Sequence, residues 1–154
     1  MTEIARSRTL IVIPALDEAA TISEVLAGVR RHAPGLDVLV VDDGSRDRTG
    51  VLARALGCDV LRHPFNLGHG AALQSGYRYA AERRYDHVVH LDGDGQHDPA
   101  GIPSLLAPLL AGEADVALGS RFLEGQRYPM SWLRRTTIGF FGWLVGRLTG
   151  LAIT

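Results

Sequence analysis

The sequence predicts an α/β fold, with a mostly parallel β-sheet flanked by helices. Short apolar runs rich in branched residues alternate with stretches whose apolar residues recur at helical spacing. The runs at 37–43 and 87–92 are almost wholly apolar and end in aspartate, as strands buried on both faces do. The chain of 154 residues can bury a substantial core, and its net charge of −1 gives no electrostatic reason to expect nucleic-acid binding.

The first strand and helix carry the clearest local signals. Residues 9–14 form an apolar run that Pro14 closes, which predicts a buried strand. Residues 21–32 place their apolar side chains on one helix face, and Thr21 with Glu24 predicts a capping box at the start of this helix. The alternation continues with predicted strands over 37–43, 59–63, 87–92 and 115–120, and with predicted helices over 47–57, 68–84 and 99–112.

Acidic clusters follow the first, second and fourth predicted strands, as PALDE (14–18), DDGSRD (42–47) and DGDGQHD (92–98). In a parallel sheet these strand ends share one edge, which is where α/β folds bind ligands. Each cluster alone is also typical of an ordinary turn, and Asp47 could simply cap a helix. Together they crowd carboxylates that need a cation, hydrogen-bond donors or protons. The sequence therefore predicts a divalent metal and a phosphate-bearing ligand at this edge.

The third cluster is the best candidate for the metal site. Asp92, Asp94 and Gln96 supply oxygen ligands at alternate positions, and the glycines between them permit tight bends. His97 is adjacent, but a solvated loop histidine is the commoner case. Cys58 is the sole cysteine, so the chain can form no disulfide framework and no cysteine-based metal site.

Several familiar motifs are absent from the sequence. It contains no G-x-x-x-x-G-K-[ST] phosphate loop and no G-x-S-x-G nucleophile elbow. The stretch GHGAALQSG is not a G-x-G-x-x-G placed directly after a strand, so a dinucleotide dehydrogenase is weakly supported.

In order along the chain, the segments VIPALDEAATI, VVDDGSRDRT, NLGHGAALQSGY, HLDGDGQHDP, ALGSRF and LRRTTIGFFGWLVGRLTGL resemble those of the family 2 glycosyltransferases, which have the Rossmann-like GT-A fold. Within that family the chain looks most like the dolichyl- or polyprenyl-phosphate mannosyl- and glucosyltransferases. The resemblance implies inverting transfer of a hexose from a nucleotide-diphosphate sugar, GDP-mannose or a UDP-hexose, to a polyprenyl phosphate. Asp17 is a departure, because the family more often has asparagine at this position.

The resemblance also implies roles for single residues. The nucleotide would be held by Pro14, Ala15, Glu18, Asp42, Asp43 and Gly70, with the loop 66–70 packed beside it. Asp92 and Asp94 form the DxD motif, which would bind the donor diphosphate through Mg²⁺ or Mn²⁺ with Gln96 as a further ligand. Arg121, Arg134 and Arg135 would bind phosphate, since guanidinium pairs with phosphate bidentately. The predicted catalytic residues are Asp94, Arg121, Arg134 and Arg135.

The end of the chain differs from the rest in character. We expect a catalytic nucleotide-sugar-binding domain over 1–130 and an amphipathic helix with an incomplete acceptor region over 131–154. Trp132 and Trp143 suit a helix at the membrane interface, although a buried helix with partners beyond residue 154 explains the pattern equally well. The resembling family continues past this point, so we expect a truncated chain. The N-terminal apolar run is too short for a signal peptide, which predicts a cytoplasmic protein at the inner membrane face.

Other functions stay open from the sequence alone. The chain could be an inactive nucleotide-sugar-binding fragment, or a family 2 transferase that acts on a saccharide or another hydroxyl acceptor. A sugar-1-phosphate nucleotidyltransferase is the least favoured, because PALDEAAT lacks the glycine-rich, arginine-containing loop of that class.

Overall fold

The computed structural model describes residues 7–119 and residue 147. Strands and helices alternate through the first of these ranges. The strands are β1 (Thr9–Ala15), β2 (Asp37–Asp42), β3 (Asp59–Arg62) and β4 (His87–His90). The helices are α1 (Ile22–His32), α2 (Thr49–Ala55), α3 (His69–Glu82) and α4 (Ile102–Leu110), and a 3-10 turn at Pro99–Gly101 leads into α4.

The strands form one sheet in the order β3-β2-β1-β4, and every neighbouring pair is parallel. Strand β1 is therefore interior, pairing Ala15 with Asp42 of β2 on one side and Val12 with His90 of β4 on the other. The predicted parallel sheet is confirmed. Its register brings the ends of β1, β2 and β4 to one edge, as the acidic clusters require.

Two apolar layers cover the sheet, and the alternation of β1 divides its side chains between them. Ile11 and Ile13 pack on one face among the apolar residues of α1 and α4. Leu10 and Val12 pack on the other face against α3, through Ala72 and Ala80 among others. Burial of β1 on both faces explains why its sequence is continuously apolar.

The predicted fifth strand is wrong over the residues that the structure describes. Residues 115–119 form no strand there, and Val116 and Leu118 are 73% and 85% exposed. Their alternation with small residues resembles the pattern of a strand. A strand, however, also needs a neighbouring strand that hydrogen-bonds to its backbone groups, and the described sheet ends at β4.

The predicted boundary between 1–130 and 131–154 lies outside the described residues. The same holds for the predicted C-terminal helix, of which only Arg147 is described, in helical conformation. No helix in the described part of the chain combines the length and apolar character needed to cross a bilayer.

Candidate functional site

A groove of about 430 Å³ opens at the edge of the sheet where the strands end. It is lined by Pro14, Ala15, Leu16, Glu18, Asp43, Asn66, Gly68, His69, Ala72, Asp92, Gly93 and Asp94. A smaller cavity of about 260 Å³ lies where β2 and β3 begin and contains none of the predicted site residues. Cys58 lines that second cavity, and burial raises the pKa of its thiol, in keeping with an inert cysteine.

The loop after β1 is tied to the loop after β2 by Asp17. Its backbone is left-handed, with φ of 56°, a conformation that Asp and Asn tolerate best among residues with side chains. Oδ1 of Asp17 accepts from the backbone N–H groups of Arg46 and Asp47, at 2.7 and 3.3 Å. The side-chain oxygen of an asparagine could accept the same two hydrogen bonds. This explains why aspartate can replace the asparagine that the family more often has at this position.

Glu18 lies on one wall of the groove and is held from two sides. Its backbone N–H donates to the Thr49 hydroxyl at 2.8 Å. The Thr21 hydroxyl lies 2.8 Å from Oε2 of Glu18 and 3.0 Å from the carbonyl oxygen of Gly93. The predicted capping box at Thr21 and Glu24 is therefore wrong: the hydroxyl faces acceptors of the groove and makes no capping bond to the helix.

Asp42 and Asp43 are adjacent in sequence but lie in different environments. The Asp42 carboxylate is fully buried, accepts from the Ser45 N–H at 2.8 Å and lies 3.6 Å from Nε of Arg62. Its Oδ2 has no hydrogen-bond partner among the described residues and packs against Gly50, where an added methyl group would lie 2.5 Å away. Of this pair, only Asp43 lines the groove.

A network of hydrogen bonds fixes Asp43. It accepts from Nδ1 of His63 at 2.7 Å and from the N–H groups of Leu67 and Gly68, each at 2.9 Å. Because a carboxylate only accepts, Nδ1 of His63 carries a proton, and Nε2 of the same ring lies 2.9 Å from the Ser75 hydroxyl oxygen. Burial by itself would raise the pKa of Asp43, but these hydrogen bonds outweigh it and lower the pKa.

Three imidazole rings surround Asp92. Nε2 of His90 lies 3.0 Å from Oδ1, and Nε2 of His69 lies 4.0 Å from the same oxygen. Nδ1 of His97 lies 3.4 Å from Oδ2, so this histidine borders the site. The sequence reasoning missed His69 and His90. The spacing of His90 and Asp92, two residues apart at the end of a strand, could have indicated that they share a side.

Asp94 reaches the groove, whereas the Gln96 side chain is not part of its lining. Gly93 packs against Pro14 and Ala15, so a methyl group there would lie 3.2 Å from the Pro14 carbonyl oxygen. The Gln96 N–H donates to Oδ1 of Asp94 at 2.9 Å. The predicted role of Gln96 as a metal ligand stays a prediction.

The N-terminus of α3 completes the groove. The N–H groups of Ala71 and Ala72 make the first bonds of this helix, to the carbonyl of Gly68, so those of His69 and Gly70 precede them. Among the described residues, Gly70 has open space where a side chain would be. Free N–H groups and the helix dipole favour anions at such a terminus.

The structure therefore brings together Pro14, Ala15, Glu18, Asp43, Asp92 and Asp94, with Gly70 in the adjoining helix turn. It leaves the Asp42 carboxylate outside the groove lining. Arg121, Arg134 and Arg135, and the tryptophans of the predicted interfacial helix, lie outside the described residues.

Comparisons with known proteins agree with this geometry. The chain matches the family described as "Glycosyl transferase family 2" over residues 10–149. It is 37% identical over 124 residues to polyprenol monophosphomannose synthase of Mycolicibacterium smegmatis, covering 77% of this chain and 46% of that protein. It is 36% identical over 153 residues to undecaprenyl-phosphate mannosyltransferase of Micrococcus luteus, covering 96% and 62%.

A solved structure gives the same result for the fold. Glucosyl-3-phosphoglycerate synthase of Mycobacterium tuberculosis, in complex with Mn²⁺, UDP and glucosyl-3-phosphoglycerate, superposes with a TM-score of 0.59 at 35% identity. The match covers 71% of this chain and 42% of that one. The predicted GT-A fold is confirmed. The chain spans roughly half of the length of the relatives that it matches, 46% of the M. smegmatis protein and 62% of the M. luteus protein.

Proposed function

The chain belongs to glycosyl transferase family 2, and from that premise we propose that it moves a hexose, with inversion, from a nucleotide-diphosphate sugar to a polyprenyl phosphate. One observation carries the proposal: Glu18, Asp43, Asp92 and Asp94 line a single groove beside the N-terminus of α3. The relatives named polyprenol monophosphomannose synthase and undecaprenyl-phosphate mannosyltransferase support the acceptor class.

The carboxylates of Asp92 and Asp94 are the groups that would hold a metal ion. Oxygen ligands of this kind suit Mg²⁺ or Mn²⁺, and a solved relative contains Mn²⁺. Within the described part of the chain, Asp94 accepts one backbone N–H and Asp43 accepts from three donors, which leaves more acceptor capacity on Asp94. A bound divalent ion would neutralise negative charge that develops on the departing diphosphate. The N–H groups at the start of α3 would bind the phosphate oxygens beside it.

Asp43 is the better candidate of the aspartate pair for contacting the nucleoside. It lines the groove, and a carboxylate offers about four acceptor positions, of which three are filled by protein donors. One position remains for an N–H of a base. Asp42, buried against Gly50 and Arg62, would instead support the loop.

The acceptor side rests on the basic residues of the later segment. A polyprenyl phosphate is already anionic and needs positioning rather than a general base. Arg121, Arg134 and Arg135 would provide it through bidentate contacts. We also propose that the catalytic domain ends at residue 130. Residues 131–154 would then dock on the inner face of the membrane.

A thermal-shift experiment tests the donor site. UDP or GDP with Mn²⁺ should raise the melting temperature of the chain, and Asp94→Asn should abolish the shift. Asp98→Asn is the matched control, because Asp98 caps the next turn by accepting from the Ala100 N–H at 2.9 Å, which asparagine can also do. The absence of a shift with every nucleoside diphosphate would refute the donor site.

A transfer assay then distinguishes the acceptors. Labelled hexose should pass from GDP-mannose or a UDP-hexose to polyprenyl phosphate in detergent or vesicles. A solved relative is in complex with phosphoglyceric acid, and this observation favours transfer to a hydroxyl group as the second candidate. Product on phosphoglycerate or a saccharide, with none on the lipid phosphate, would establish that alternative. Donor binding without transfer to any acceptor would favour the nucleotide-sugar-binding fragment.

A further inference from the structure

Histidine side chains converge on Asp92 in a way that the donor site described above does not use. We propose that His69, His90 and Asp92 form a binding site for a divalent transition-metal ion of the Zn²⁺ or Co²⁺ type, which the chain holds without a nucleotide. One ligand atom from each residue lies within 4.8 Å of the other two.

The distances are compatible with a common ion. Ligand atoms about 2.0–2.1 Å from a tetrahedral zinc ion are about 3.3 Å apart. Oδ1 of Asp92 lies 3.0 Å from Nε2 of His90 and 4.0 Å from Nε2 of His69, which brackets that separation. The His69 side chain is 60% exposed. It therefore has room to move its Nε2 to bonding distance from a shared ion.

Regular elements place two of these ligands. His90 is the last residue of β4, and Asp92 follows two positions later. His69 is the first residue of α3, the helix that packs on the face of the sheet formed by Leu10 and Val12. The two imidazole rings lie 5.6 Å apart between centroids, at an interplanar angle of 50°. Ligands at the ends of packed elements are held more precisely than ligands within a long loop.

The chemistry of the ligands sets the metal preference. Imidazole nitrogen suits Zn²⁺, Cu²⁺ and Ni²⁺, whereas Mg²⁺ prefers sites made of oxygen alone. Two histidines and one carboxylate also leave a coordination position open, as in catalytic zinc sites. Without an ion, a hydrogen bond from His90 to Asp92 would account for the approach of these two side chains. The experiment must therefore distinguish an ion-binding site from a simple hydrogen bond.

The inference rests on the proposed function in one respect. Asp92 belongs to both sites, so an ion held by His69 and His90 would lie where the donor diphosphate is proposed to bind. Ion binding measured without nucleotide is independent of that step. If Co²⁺ binds but no nucleoside diphosphate does, the donor proposal fails and this inference stands; the reverse result rejects this inference alone.

Titration of the full chain with Co²⁺, followed by absorption spectroscopy, and with Zn²⁺ and Mg²⁺, followed by calorimetry, tests the site. We expect one Co²⁺ or Zn²⁺ per chain and an affinity for Mg²⁺ lower by about 100-fold or more, in line with ligand softness. His69→Ala and His90→Ala should each weaken Co²⁺ binding by at least about 10-fold. His32→Ala, at an exposed position at the end of α1, is the matched control and should bind as the wild type does.

Two results would overturn the inference. One is the absence of saturable Co²⁺ binding to the folded wild-type chain. The other is unchanged affinity in the double variant His69→Ala/His90→Ala, with folding verified by circular dichroism. Both side chains are exposed, so truncation is not expected to unfold the protein.

Discussion

Replacement of Gly76 by alanine should destabilise the protein, although alanine is the better helix former. Gly76 lies in α3 where the helix crosses β1. A methyl group there would overlap Cγ1 of Val12 and lie 3.2 Å from its Cγ2 and 3.3 Å from its Cβ. Val12 is fully buried in an interior strand and cannot move aside without displacing its neighbours. The helix must therefore shift away from the sheet.

The expected magnitude is the difference between two opposing effects. Overpacking of a core contact costs about 1–3 kcal/mol, and an overlap with a buried branched side chain belongs at the upper end of that range. The helix gains up to about 1 kcal/mol from replacing glycine by alanine. The free energy of unfolding should therefore fall by about 1–2 kcal/mol, measured as a lower urea midpoint at constant m-value.

Gly70→Ala is the matched control for this substitution. Gly70 lies in the same helix, and apart from its chain neighbours and the helix's own backbone no atom of the described residues lies within 4 Å of where its methyl group would be. Its unfolding free energy should stay within about 0.5 kcal/mol of the wild type or rise slightly. Val12→Ala removes the atoms with which the new methyl group collides, so Gly76→Ala should cost at least about 1 kcal/mol less in that background. Equal stability of the Gly76 and Gly70 variants would refute the close packing of α3 on β1.

Two further predictions concern the loops that build the groove. Asp17→Asn should retain wild-type stability because asparagine can accept the N–H groups of Arg46 and Asp47, whereas Asp17→Ala should lose about 1–3 kcal/mol in urea denaturation; equal losses in both variants would contradict this role. The pKa of Asp43 is lowered on folding, so the unfolded chain binds its proton first as the pH falls. The resulting stabilisation should be complete above about pH 5 and should decline as the pH falls through about 4 towards the folded pKa. The stability difference between wild type and Asp43→Asn should therefore shrink between about pH 5 and pH 3, and a constant difference would count against the network.

The strands and the shared acidic edge could be predicted because they depend on local patterns. Continuous apolar runs, as in β1, indicate burial on both faces whatever the surrounding fold. The apolar residues Val116 and Leu118 alternate with small residues as in a strand, but they have no partner strand among the described residues. Strand pairing is a tertiary property that no local pattern contains. The environments of Asp42 and Asp43 could not be separated for a related reason. Neighbouring residues at a strand end point to opposite sides, and the surrounding elements decide which side is the groove.

The convergence of His69 and His90 required the fold itself. The two residues lie in different elements. They meet because α3 packs on one face of the sheet, and its first residue lies close to the end of β4. The spacing of His90 and Asp92 gave a local signal, but a histidine near an aspartate is common in loops. The first residue of α3 carried no signal at all.

The negative charges of the crowded carboxylates at the strand ends are compensated in different ways. This difference indicates which carboxylates are available to a ligand. Asp42 is buried beside Arg62, and Asp43 is occupied by His63 and two backbone N–H groups. These two are stabilised by the protein itself, so their substitution should affect stability as well as binding. Among the residues that the structure describes, Asp94 has one backbone donor, and it is exposed, so within this part of the chain its charge is compensated largely by solvent. Of these aspartates, Asp94 is therefore the one at which a cation should bind most favourably. Asp94→Asn should abolish the increase in melting temperature caused by the nucleotide, while the melting temperature of the free chain stays nearly unchanged.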